Sequence, residues 1–184
     1  LMIYYEKLVH KNSNEWVTFI HGAGGSSAIW YKQYDHFKKL FNVILLDLRG
    51  HGKSSHSHIN ETKYTFNSIT NDILHILDKE NINKTHLVGI SLGSIIARNF
   101  IYLHPERCKS AVLGGMVVRV NRISKLLLFG SNLLKAILPA MFLYRVLAKI
   151  ILPKRNQRKS KKKYIQEAKK ISQNEFLKWF ETTN

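Results

Sequence analysis

Acidic side chains are scarce in this sequence of 184 residues: 12 Asp and Glu stand against 29 Lys and Arg, a formal net charge of +17. Cysteine is almost missing. Cys108 stands alone, which excludes an intramolecular disulfide and suits a reducing, cytoplasmic compartment. Long apolar runs are missing too. The most apolar stretch, residues 123–152, is interrupted by Lys125, Lys135, Arg145 and Lys149, whereas a membrane-crossing helix needs about 20 consecutive apolar residues. No integral membrane span is therefore expected. The opening residues lack the cationic start and apolar centre of a secretory signal. What remains is a soluble chain, 45% apolar, long enough for one domain or one domain with an appendage.

The positive charge is unevenly spread. Residues 1–116 carry 13 Lys and Arg against 9 Asp and Glu, a net of +4. Residues 117–184 carry 16 against 3, a net of +13. Two regions with different jobs are expected, divided at residue 116.

The first region alternates strand and helix signals. Residues 3–9 read as a strand, a turn follows at residues 11–14, and Trp16–Ile20 is a β-branched and aromatic strand that stops at His21-Gly22. Residues 29–41 suggest a helix. Residues 43–46 are wholly apolar, as in a strand covered on both faces, and end in the glycine-punctuated loop 47–52. Thr65 is placed to cap a helix with Ile69, Ile73, Ile76 and Leu77 on one side, ending near Asn81. Residues 86–88 (strand), 89–93 (turn), 95–103 (helix, stopped by Pro105) and 110–113 (strand) complete the series. This alternation implies an α/β fold: a mainly parallel sheet with helices on both faces, and reactive groups at the carboxyl ends of the strands. Those ends carry His21-Gly22, Asp47, Ser91 and Gly114-Gly115.

Gly89-Ile90-Ser91-Leu92-Gly93 lies between a strand and a helix, where a Gly-x-Ser-x-Gly elbow must lie. A serine exposed on so sharp a turn needs small neighbours, and Gly89 and Gly93 provide them. The helix beginning at Leu92 would turn its free N–H groups toward a developing oxyanion. At these residues the chain resembles the α/β-hydrolase superfamily, in consecutive order over about residues 15–116. His21-Gly22-Ala23-Gly24-Gly25 looks like the family's oxyanion loop, which implies that the N–H of Ala23 is the second oxyanion donor beside that of Leu92. The segments Asp47-Leu48-Arg49-Gly50-His51-Gly52-Lys53-Ser54 and Tyr102-Leu103-His104-Pro105-Glu106-Arg107 are similar to two further family motifs. A serine at the elbow argues against the branches whose nucleophile is an aspartate.

The resemblance implies a serine hydrolase that cleaves an ester, thioester or activated C–C bond of a small apolar substrate through an acyl-enzyme, with Ser91 as nucleophile. His21, Gly22, Gly89, Gly93 and Asp47 would support the elbow and loops. No cofactor is expected, and His51, His56 and His58 lack the spacing of a metal site. Asp47 and Arg49 read as loop anchors and Asp72 as solvated or loop-bonding. A triad needs an imidazole and a carboxylate, in the order Ser, then Asp or Glu, then His. After Ser91 there is no Asp, the one histidine is His104, and the carboxylates are Glu106, Glu167, Glu175 and Glu181. The family carries its acid and base after later strands. An incomplete core is therefore expected, and little turnover from this chain alone.

Residues 117–184 fall where the family inserts a helical cap. Residues 123–152 suggest two or three helices broken by Gly130 and Pro139, residues 154–163 a solvated basic loop, and residues 164–180 one more amphipathic helix. The leucines could line a pocket for a small apolar ester-like substrate or merely pack the helices together. The basic run lacks the interleaved aromatics of a single-strand binder, so no nucleic acid is expected. Contact with an anionic surface is the open alternative, in which the chain is a catalytically inert truncated fragment or pseudoenzyme whose basic cap binds that surface. Oligomeric state is not legible.

Overall fold

A computed structural model of the protein describes residues 2–55, 62–116 and 139–182. His56, His58 and the expected helices between 117 and 138 lie outside them. Five strands, β1 (Tyr5–Leu8), β2 (Trp16–Ile20), β3 (Asn42–Leu46), β4 (Thr85–Ile90) and β5 (Cys108–Gly114), form one sheet in the order β1-β3-β2-β4-β5. β1 runs antiparallel to β3, and the remaining pairs are parallel. The expected α/β class, with its mainly parallel sheet, is what forms.

The period-2 alternation of β2 distributes its side chains between two cores. Ile20 joins Ile44, Leu46 and Leu87 under helices α2 (Phe66–Lys79) and α3 (Leu92–Leu103), which supply Ile69, Ile73, Ile96 and Phe100. Val17 and Phe19 face the other way, with Val43, Leu45 and Trp30. Every residue of β3 is buried, as its unbroken apolar run requires.

Local chemistry sets the helix ends. Thr65 Oγ1 accepts from Ser68 N at 3.0 Å and Ser68 Oγ accepts from Thr65 N at 3.2 Å, a reciprocal capping box at the start of α2. Asn81 follows the helix in the left-handed region (φ 54°), and Ile82 N then reaches back to Leu77 O. The helix expected over residues 29–41 is shorter. A 3-10 turn (Ser27–Trp30), capped by Ser26 Oγ, precedes α1 (Tyr31–Phe37). The chain must leave helix early because Asn42 N is already bonded to Glu15 O at the mouth of the sheet.

Beyond residue 138 come α4 (Ala140–Ile151), α5 (Arg158–Ala168) and α6 (Gln173–Thr182). Pro139 stands at the start of α4, as expected. Two expectations need correction. The basic run is not a loop: residues 155–157 make a 3-10 turn and Arg158 onward is the first half of α5. Residues 164–180 are not one helix, because Ser172 restarts the chain, its Oγ accepting from Glu175 N and its carbonyl from Phe176 N. Ala140, Tyr144 and Ala148 of α4 pack on Tyr164, Ala168, Ile171 and Phe176. Among the described residues no helix is long and apolar enough to cross a membrane.

Candidate active site

The parallel strands deliver their loops to one edge, and β4 passes into α3 there through a single residue. Ser91 has φ 53° and ψ −117°, a region L-residues avoid at a cost on the order of 1–3 kcal/mol. Its N–H donates to Gly114 O at 2.8 Å, and its carbonyl accepts from Ser94 N at 2.9 Å, so strand and helix both hold the kink. Ser94 Oγ clamps it further, on Gly89 O and Gly114 O. A Cβ on Gly89 would lie 2.4 Å from Gly93 O, and one on Gly93 would lie 2.2 Å from Ile20 O. Both glycines are space requirements imposed by backbone.

The loop after β2 lies against this turn. A Cβ at Gly22 would stand 3.3 Å from the Ser91 Cβ. Gly25 N bonds Gly22 O, and Gly24 N is held by His51 Nε2 at 3.1 Å. Two fully buried histidines, their rings 5.1 Å apart, brace the loop. His21 Nε2 accepts from Leu48 N, so its Nδ1 carries the proton, donated to Gly22 O at 2.8 Å. His51 likewise accepts at Nε2 and donates from Nδ1 to Arg49 O at 2.9 Å. Burial pushes His21 down to about 4; burial, with His21 beside it, pushes His51 down to about 3. Both are neutral struts whose ring nitrogens are already committed to backbone.

Neutral buried histidines make stability pH-dependent in a definite direction. Their folded pKa values lie below the unfolded value of 6.5, so between pH 6.5 and about 3 the unfolded chain binds more protons. Stability is therefore retained above 6.5 and lost on acidification. Urea titrations should show a loss of about 2 kcal/mol per histidine between pH 7 and pH 5. His51→Asn should flatten that slope by about half; an unchanged slope would contradict the strut role.

Asp47, 1% exposed, accepts from Ser27 N and Lys53 N at 2.6 and 2.8 Å, tying the loop after β3 to the 3-10 turn. Arg49 makes a two-pronged pair with Asp72 of α2 at 2.6 and 2.7 Å. Of the two expectations for Asp72, solvated or loop-bonding, the second holds: it pairs with Arg49 of the loop after β3.

Helices α5 and α6 add contacts that local sequence patterns do not reveal. Tyr164 hydroxyl donates to Ala23 O at 3.2 Å, and burial keeps that phenol protonated by raising its pKa. Trp179 Nε1 donates to Arg49 O at 2.8 Å, and its ring meets His51 and Tyr64. Ser91 lies at the junction of two cavities of about 400 and 420 Å³. The first is walled by Leu92, Ile95, Leu143, Val146, Phe176 and Trp179, the second by Ile29, Trp30, Ile90, Leu147 and Tyr164. Ala23 borders both.

His104 is elsewhere. It follows the last turn of α3, about 20 Å from Ser91 along the axis at 1.5 Å per residue. Among the described residues no three His, Cys, Asp or Glu side chains converge on a possible metal position.

A family model described as alpha/beta hydrolase fold matches residues 15–122. The (E)-2-((N-methylformamido)methylene)succinate hydrolase of Acinetobacter baylyi is 29% identical over 126 residues, 68% of this chain and 47% of that protein. A Bacillus subtilis protein described as an uncharacterized carboxylesterase is 31% identical over 98 residues, 53% of this chain and 32% of its own. A Pseudomonas aeruginosa hydrolase of known structure superposes with a TM-score of 0.80 at 17% identity, over 97% of this chain and 66% of its own, a likeness of fold. The chain spans about half or less of these two curated relatives.

Proposed function

The chain belongs to the α/β hydrolase fold family, and from that membership we propose that Ser91 is the nucleophile of a serine hydrolase for small apolar esters or thioesters. The observation that carries the reading is the left-handed backbone of Ser91 at the junction of two apolar cavities. An ordinary helix-capping serine would have no reason to be strained or to face a pocket.

In the proposed step, Ser91 Oγ attacks the substrate carbonyl carbon while an imidazole takes its proton. The developing oxyanion is held by Leu92 N–H, which as the first residue of α3 has no partner in the helical ladder, and by Ala23 N–H. The next two N–H groups of that loop, on Gly24 and Gly25, are already engaged. Collapse of the intermediate expels the alcohol, which leaves with that proton, and water then releases the acid and regenerates Ser91. In this scheme residues 1–116 form the core, and residues 117–184 form a cap whose α4 and α6 wall the cavity. The bond type is suggested by the carboxylesterase relative and the apolar lining.

In this proposal the imidazole is taken from outside the described residues: His21 and His51, beside the oxyanion loop, have committed nitrogens, and His104 is remote. A fluorophosphonate probe tests both halves of the proposal. The 184-residue chain should label weakly, and a version extended by whatever sequence is encoded beyond Asn184 should label strongly, at Ser91. If the extended protein fails to label there, the serine-hydrolase reading is lost. Steady, Ser91-dependent turnover by the 184 residues alone would instead refute the need for an outside base.

A further inference from the structure

Helix α4 buries one stripe and shows another. Ala140, Tyr144 and Ala148 turn inward. Phe142, Val146 and Ile150, also spaced by four, are 52%, 41% and 69% exposed. A water-facing helix normally puts polar residues on that side. The polar residues beside this stripe are cations. Phe142, Arg145, Val146, Lys149 and Lys161 line one shallow groove, and Arg158, Lys162 and Lys169 continue it along α5. Among the described residues of α4 and α5 this face shows no carboxylate: α4 contains none, and Glu167 of α5 is 8% exposed and bonded to Lys170 at 2.8 Å. Lys159 and Lys163 point elsewhere, onto the Tyr31 ring.

We infer that this face docks on a bilayer containing anionic lipid. α4 lies in the interface, its apolar stripe at the acyl boundary, and the cations of α4 and α5 meet headgroup phosphates. A nucleic acid would satisfy the cations and leave Phe142, Val146 and Ile150 in water. An uncharged apolar partner would cover the stripe and strand the cations without counter-charge. An anionic bilayer answers to both. Val146 and Ile150 also border the cavity that reaches Ser91, and Val146 borders the groove as well, so the docked face adjoins that cavity. Entry of apolar substrate from the bilayer rests on the hydrolase reading; the docking itself does not.

Co-sedimentation of the 184-residue chain with phosphatidylcholine vesicles, with and without phosphatidylserine, tests the docking. Binding to the anionic vesicles should exceed binding to the neutral ones by about tenfold or more. The triple change Arg145→Glu, Lys149→Glu, Lys162→Glu should lower affinity by about tenfold or more, and Phe142→Ser by about threefold. Lys11→Glu, Lys39→Glu, Lys84→Glu makes the same change in net charge on loops that enter the opposite end of the sheet, and should leave binding within about twofold. Circular dichroism confirms that each variant folds. Equal losses from the two triple variants would overturn the proposal, as would no binding by the unchanged chain. Insensitivity to Phe142→Ser with full competition by a single-stranded oligonucleotide would overturn it in favour of a nucleic-acid face.

Discussion

Ser91→Ala in the protein completed with its acid and base is expected to lower kcat on a short-chain p-nitrophenyl ester by about 10⁴- to 10⁶-fold, with KM little changed. Ser91 lines the cavity, and the change removes only its Oγ, so it deletes the covalent route and leaves the other lining residues in place. What survives should be the modest catalysis that binding and oxyanion stabilisation supply without a nucleophile. Ser91→Gly sharpens the test. It removes the same oxygen and also relieves the φ of 53°, so it should lose activity to the same floor while gaining about 1 kcal/mol in urea unfolding. A gain in stability coupled to a loss of chemistry is the signature of strain held at a working site. A variant that retained more than about one per cent of the rate would point to another nucleophile.

Much of this arrangement was legible before any coordinates. The alternation of β2, the apolar run of β3 and the cap at Thr65 are local patterns, and local patterns survive folding when one face is buried. The elbow was legible because its glycines are required by backbone proximity at Gly93 O and Ile20 O. What escaped sequence reasoning depends on distant partners. His51 is a strut because Gly24 lies 27 residues away in sequence and beside it in space. Trp179 reaches Arg49 across 130 residues, and Tyr164 reaches Ala23 across 141. No periodicity within α5 or α6 encodes such pairings. The break at Ser172 is different, since a serine three residues before Glu175 is a visible cap signal. It was hidden by apolar spacing that runs on through Ile171 and Phe176.

Gly93→Ala carries the second large effect, in folding as well as chemistry. Its Cβ would lie 2.2 Å from Ile20 O and 2.7 Å from His21 O, both backbone atoms of the central strand and its exit. A flexible side chain could move aside; these carbonyls can move only with β2 or the loop that follows it. The expected cost is about 3 kcal/mol or more, above the usual range for an extra methyl in a core. Gly115→Ala is the control. Its φ of 61° is also left-handed, but among the described residues its Cβ would meet nothing within 4 Å, so conformational strain alone should cost about 1 kcal/mol. Comparable urea midpoints for the two variants would refute the packing explanation. The same contact predicts the chemical consequence. α3 starts one residue before Gly93, and the loop bearing Ala23 starts where His21 O would be struck. Any shift that admits the methyl group therefore separates Leu92 N–H from Ala23 N–H, the two donors proposed to share one oxyanion. In the extended protein, Gly93→Ala should thus lose fluorophosphonate labelling under conditions where circular dichroism still reports a folded chain, whereas Gly115→Ala should retain it.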